Sequence, residues 1–98
     1  MLKHIYNDGV SAHDKLPVEF VFVTDSKIKA DLLEKKLKSG FPFYHGFELE
    51  EIDGNWELFG ITDPIEMNIY KVNAWNQIMW ELGYQNDCKL DGWHVAVN

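Results

Sequence analysis

The order of hydrophobic patterns along this chain predicts a single α+β domain with the element order β-α-β-β-α-β. Four segments carry the continuous or alternating apolar residues that are typical of strands, and two segments repeat apolar residues at helical spacing. Clusters of turn residues separate the six segments. The first and third strand segments are the most apolar, which agrees with the central positions that these strands take when this order forms one sheet. The length of 98 residues fits one domain.

The first half of the pattern consists of an N-terminal arm, a strand and a helix. Residues 1–16 show no clear periodicity and Pro17 separates them from the rest, so we divide the chain into an N-terminal arm, 1–16, and one domain, 17–98. The first strand is "VEFVFV", a nearly continuous run of β-branched and aromatic residues. A helix is predicted between the capping residues 24–26 and Gly40. Its buried face is expected to hold Ile28, Leu32, Leu33 and Leu37.

The second and third strands form a predicted hairpin, "FYHGFELEEI" and "WELFGI", joined at Asp53-Gly54. A two-residue loop at this dipeptide would place Glu50 opposite Glu57, at a small like-charge cost. A longer turn that includes Asn55 would avoid this cost. The sequence therefore leaves the register of the hairpin open.

The second helix is predicted to begin at residues 63–66, "DPIE", which have the form of a capping box with proline at the first helical position. It is expected to end near Leu82, with Gly83 as its stop, and residues 88–97 form the last strand. The buried stripe is expected to contain Ile65, Ile69, Val72, Trp75 or Asn76, Met79 and Leu82. The predicted fold is the ferredoxin-like split βαβ, a four-stranded antiparallel sheet with two helices on one face. The other face of the sheet would then be open, or covered by the N-terminal arm.

The charge of the chain favours a protein partner over a nucleic acid. The formal net charge is −7, and all nine basic residues are lysines. A chain without arginine, the residue that grips phosphates in a bidentate manner, is a poor candidate for nucleic-acid binding. Five of the lysines crowd one short stretch, namely Lys27, Lys29, Lys35, Lys36 and Lys38. The remainder is strongly acidic and suits a basic protein partner.

The candidate site residues indicate binding rather than chemistry. The four histidines have no metal-ligand spacing, and Cys88 is interpreted as a small strand residue, so we expect no catalytic residue, metal site or cofactor. One acidic cluster lies on the predicted hairpin and consists of Glu48, Glu50, Glu51, Asp53 and Glu57. It is interpreted as a solubilising edge or as a docking surface. By helical phase Trp80 lies opposite the buried stripe, where it is either an interface anchor or covered by another segment.

The last strand contains Asp91-Gly92-Trp93, for which we favour a structural role. Gly92 would permit a bulge or a close approach, Asp91 would cap a turn or pair with Lys89, and Trp93 would fill the end of the core. The strand "LDGWHV", the preceding helix end "LGY" and the acidic hairpin "GFELEEIDGNWELFGITD" resemble the regulator of ribonuclease activity B family. The resemblance covers roughly residues 18–97.

The resemblance implies a non-catalytic protein that inhibits or modulates a ribonuclease of the ribonuclease E type and so affects RNA decay. It implies protein contacts rather than direct contact with nucleic acid. An immunity-type protein that neutralises a basic toxin fits the acidity equally well, and a small enzyme or ligand-binding domain that uses the open sheet face is a third hypothesis. The sequence has no secretory signal and no run long enough to span a membrane, so we expect a cytoplasmic protein. An apolar open face would also serve as a homodimer surface.

Overall fold

The computed structural model describes residues 14–95, which form two helices and two antiparallel sheets. The elements in chain order are β1 (Lys15–Leu16), β2 (Val18–Thr24), α1 (Lys27–Gly40), β3 (His45–Ile52), β4 (Asn55–Ile61), β5 (Ile65–Glu66), α2 (Ile69–Gln85) and β6 (Lys89–Val95). The predicted α+β class is confirmed. The arm and domain boundary stays a prediction, since residues 1–13 and 96–98 lie outside the described residues.

The larger sheet has the strand order β3-β4-β2-β6, and each neighbouring pair is antiparallel. The two most apolar strands, β2 and β4, are central, as their sequences predict, and the more polar β3 and β6 lie at the edges. The sequence did not predict the smaller sheet, in which β1 pairs with β5.

One face of the larger sheet is buried in the hydrophobic core. Along β2, buried residues alternate with partly exposed ones, so that Val18, Phe20 and Phe22 point to the core. Both helices contribute to the same core cluster, which includes Leu33 of α1 and Met79 of α2. The period of two along a strand therefore divides the sheet into a core face and an opposite face.

Helix α1 packs through Ala30, Leu33 and Leu37, which are buried. The prediction that Ile28 and Leu32 share this face is wrong, because their side chains are 72% and 50% exposed. The helical repeat directs residues 30, 33 and 37 to the sheet and places the other two on the flank.

Helix α2 begins at Ile69, five residues after the predicted start at Pro64. The side chain of Asn68 caps it by accepting a hydrogen bond of 2.8 Å from the backbone N–H of Tyr70. Residues 65–66 are withdrawn from the helix because they pair with β1. The expected burial of Ile69 is also wrong, since that side chain is 48% exposed.

The C-terminal end of α2 also differs from the prediction, because Gly83 lies inside the helix and is buried. A β-carbon at Gly83 would lie 2.7 Å from Cε1 of Phe22. This glycine therefore permits a close approach of helix and sheet rather than ending the helix.

Candidate functional site

The β3–β4 hairpin has a two-residue turn at Asp53 and Gly54. Both residues have positive φ values, 52° and 85°, which is the geometry of a type I′ turn. Ile52 pairs with Asn55, so the longer turn is excluded. This register places Glu50 directly opposite Glu57, and the geometry of the turn therefore outweighs the small like-charge cost.

The alternation of side chains along the hairpin sorts its carboxylates onto different sides. Glu48 pairs with Phe59 and Glu50 pairs with Glu57, and these residues lie on the sheet face opposite the core. Glu51 pairs with Trp56 on the other face, and Asp53 lies at the turn. The five predicted carboxylates are therefore not one patch. None of them has an ion-pair partner among residues 14–95.

We call the sheet face that carries Glu19, Val21, Phe59 and Ile61 the open face. The three apolar side chains are partly exposed and come together at a groove of about 450 Å³. The carboxylate of Glu19 contacts Nε2 of His94, and both residues line this groove. Sequence reasoning missed these residues, although the alternation of "VEFVFV" already placed Glu19 and Val21 opposite the core face.

The structure places Trp80 on the outer side of α2, where its side chain is 51% exposed. Its ring stacks on the ring of Tyr84, one helical turn further along, with 5.5 Å between the ring centroids and an angle of 8° between the planes. The two rings border a second groove, of about 470 Å³, together with Asp25 and Asp87. The sequence did not predict the contribution of Tyr84, and spacing of four residues on a helix was the signal for it.

Acidic side chains pair with several of the lysines that crowd residues 27–38. Lys29 forms ion pairs with Asp87 and, at 3.1 Å, with Asp25. The hydrogen bond to Asp87, and to a smaller extent that to Asp25, raises the pKa of Lys29. Lys38 pairs with Glu34 at 3.0 Å. The strongest charge left unpaired within the described residues is therefore that of the hairpin.

Cys88 is buried and unsuited to nucleophilic chemistry. Its Sγ lies 3.4 Å from the backbone oxygen of Asn86 and 3.8 Å from that of Lys29, and its single S–H proton can be donated to either. Burial raises the pKa of the Cys88 thiol, which disfavours the reactive thiolate. Residues 14–95 contain no cluster of three or more histidine, cysteine or carboxylate side chains that would hold a metal ion.

The Asp91-Gly92-Trp93 triplet forms a bulge in β6 and a core contact. The register of β6 against β2 shifts by one residue at Asp91, between the pairs of Gly92 and Leu90. Trp93 packs edge-on against Trp75 at 5.5 Å. Its Nε1 donates a hydrogen bond of 2.9 Å to Oδ1 of Asn76.

The surroundings of Gly92 do not require a glycine at this position. A β-carbon at Gly92 would have no neighbour within 4 Å, so no close approach explains this glycine. Asp91 makes no ion pair with Lys89 in the part of the chain that the structure describes.

No helix within residues 14–95 has the length and hydropathy needed to cross a bilayer.

Comparison with known proteins identifies the family to which the chain belongs. No curated protein and no solved structure matches the chain. A family model described as regulator of ribonuclease activity B matches residues 1–95, which is nearly the whole sequence of 98 residues. The chain therefore belongs to the regulator of ribonuclease activity B family.

Proposed function

We propose that this protein is a non-catalytic regulator that binds a ribonuclease of the ribonuclease E type and slows its cleavage of RNA in the cytoplasm. The observation that carries the proposal is the match of residues 1–95 to a family of ribonuclease regulators. The protein would act by contact with the enzyme rather than with the RNA.

The charges of the hairpin support a protein partner. Glu48, Glu50, Glu51, Asp53 and Glu57 have no lysine or histidine partner among residues 14–95. Unpaired carboxylates repel the RNA backbone and attract lysine-rich or arginine-rich protein segments. We propose this hairpin as the principal contact surface, with the carboxylates on the open face, Glu48, Glu50 and Glu57, making the contacts.

Trp80 is proposed as a second contact. Half of Trp80 is exposed, and its ring stacks on the ring of Tyr84. Aromatic side chains have only two χ angles and lose little conformational entropy when a partner covers them, which is why they often anchor protein interfaces.

We also propose that the domain is a ferredoxin-like split βαβ with both helices on one face of the larger sheet. The strand order β3-β4-β2-β6 supports this arrangement, as does the shared core of α1, α2 and the core face of β2. The arrangement would leave the opposite face to a partner protein or to a second copy of the chain.

The test is a cleavage assay with purified full-length ribonuclease E and a fluorogenic RNA. Adding the protein at increasing concentration should slow cleavage, and raising the salt concentration should weaken the effect because the contact is electrostatic. Fluorescence anisotropy of the same RNA should show no binding by the protein alone. Unchanged cleavage at all concentrations would contradict the proposal. Retention of a basic toxin from a lysate, together with unchanged cleavage, would favour the immunity-type function instead.

A further inference from the structure

Gly92 lies beside the bulge at Asp91, but it stands out among the glycines of the sheet because neither its φ nor the space around a β-carbon requires a glycine. Gly46 has a φ of +66°, and a β-carbon there would lie 2.9 Å from the Ile61 side chain. At Gly60 a β-carbon would lie 2.5 Å from the Phe20 ring. At Gly92 the φ is not positive and the space for a β-carbon is free. A glycine in a strand also weakens it, so its presence calls for another reason.

The missing side chain of Gly92 leaves the groove of the open face unfilled. Gly92 pairs with Val21 across the β2–β6 ladder, and both residues line the groove. Any larger side chain at position 92 would project from this face into the groove. Phe59 and Ile61 extend the apolar surface onto β4.

The rim of the groove is acidic. Glu48, which has no ion-pair partner among residues 14–95, lines it together with Glu19, whose carboxylate contacts Nε2 of His94. The next cross-strand row on the same face contains Glu50 and Glu57 opposite each other. Lys89, at the far end of this row, is its only basic residue. The apolar floor of the groove is complementary to an aliphatic side chain, and its acidic rim is complementary to basic side chains on either side of it.

We propose that this groove binds a protein segment in which one aliphatic side chain is flanked by lysines or arginines. The aliphatic side chain packs on Val21 and Phe59, in the space that Gly92 leaves. The basic side chains pair with Glu48 and with Glu50. The segment would belong to the ribonuclease of the proposed function, so the proposal rests on that function for its partner. It assigns the contacts to the open-face carboxylates of the hairpin rather than to Glu51.

The test is a titration of the isotope-labelled protein with the synthetic peptide Arg-Arg-Leu-Arg-Arg, followed by the backbone amide signals. We expect shifts at Val21, Phe59 and Gly92, at about millimolar peptide, since so small a ligand binds weakly. A peptide with serine in place of leucine should bind less well, and one with glutamates in place of the arginines should not bind.

Two matched variants keep the test independent of stability. Gly92→Leu fills the groove, and Gly40→Leu adds the same side chain at the end of α1, where a β-carbon also has no neighbour within 4 Å. Gly92→Leu should weaken peptide binding by about tenfold or more, and Gly40→Leu should leave it unchanged. Glu48→Lys should weaken binding without filling the groove.

Several results would overturn the proposal. These are shifts confined to Trp80 and Tyr84, equal binding by the two leucine variants, and contacts of residues 1–13 with Phe59 that exclude the peptide. Shifts that depend on protein concentration alone would place a second copy in the groove and would overturn it as well. The peptide contains no part of a ribonuclease. If the groove binds the peptide but the protein leaves RNA cleavage unchanged, only the proposed ribonuclease function is refuted.

Discussion

Replacement of Gly83 by alanine is expected to destabilise this protein, although the same change stabilises most helices. A β-carbon at Gly83 would lie 2.7 Å from Cε1 of Phe22 and 2.8 Å from the backbone oxygen of Cys88. Phe22 is 1% exposed and packs at the centre of the core. Neither neighbour can withdraw without moving other core groups, so helix α2 itself would have to shift.

Two opposing free energies set the size of the effect. Alanine is favoured over glycine inside a helix by about 1 kcal/mol. Overpacking a closed core costs about 1–3 kcal/mol. The upper end of that range applies because one of the clashing atoms belongs to the backbone. The free energy of unfolding should therefore fall by about 2 kcal/mol, which lowers the Tm of a domain of this size by about 10 °C.

Thermal and urea unfolding, followed by circular dichroism, measure this effect. Gly40→Ala is the matched control, because Gly40 also belongs to a helix but has no neighbour within 4 Å of a β-carbon. The control should melt at or slightly above the temperature of the parent protein. If Gly83→Ala also melts at or above that temperature, helix α2 does not approach the sheet closely enough for a β-carbon to clash.

Three further predictions concern stability. Thr62→Val should lower the free energy of unfolding by about 1–3 kcal/mol, because the buried hydroxyl accepts a hydrogen bond of 2.9 Å from the Val18 amide. Thr62→Ser should lower it clearly less, and equal losses for the two variants in urea unfolding would refute this role of the hydroxyl. Trp93→Ala should cost about 3–5 kcal/mol through the cavity it leaves beside Trp75; an unchanged urea midpoint would contradict a core role. Burial raises the pKa of Tyr44 from its ordinary 10.0, so its contribution to stability is complete below pH 10.0 and declines at higher pH. Tyr44→Phe should flatten that alkaline decline in a pH series of melting curves, and an unchanged slope would count against it.

The central part of the fold follows from local sequence patterns. The apolar composition of β2 and β4 predicts two central strands, because a central strand needs apolar side chains on more of its surface. The Asp53-Gly54 pair predicts the hairpin, because these residues adopt positive φ at low cost. Only the structure shows that this preference outweighs the repulsion between Glu50 and Glu57.

The ends of helix α2 depend on partners that are distant in sequence. The pattern at Asp63 and Glu66 is a valid capping box, but Ile65 and Glu66 pair instead with β1, about 50 residues earlier. At the other end, Gly83 is needed for contact with Phe22, and no local signal distinguishes such a glycine from a helix stop.

The sequence predicts which residues a candidate site would contain, but not how they are arranged. The acidic residues of the hairpin can be read from the sequence, and helical phase places Trp80 opposite the buried stripe, but only the structure shows that Trp80 is exposed. The groove of the open face requires the register of β2 against β6, including the bulge at Asp91, and this register is set by pairing across the sheet. For this reason Glu19 and His94 could not be recognised as neighbours from the sequence alone.

The most direct measurement of how this protein acts compares two charge-matched variants in the ribonuclease E cleavage assay. Glu48→Gln with Glu50→Gln removes two charges from the open face, whereas Glu51→Gln with Asp53→Asn removes two charges from elsewhere on the same hairpin. We predict that the open-face pair needs about tenfold more protein for half-maximal inhibition and that the second pair inhibits like the parent protein. Equal inhibition by both pairs, or a loss confined to the second pair, would contradict a contact through the open face.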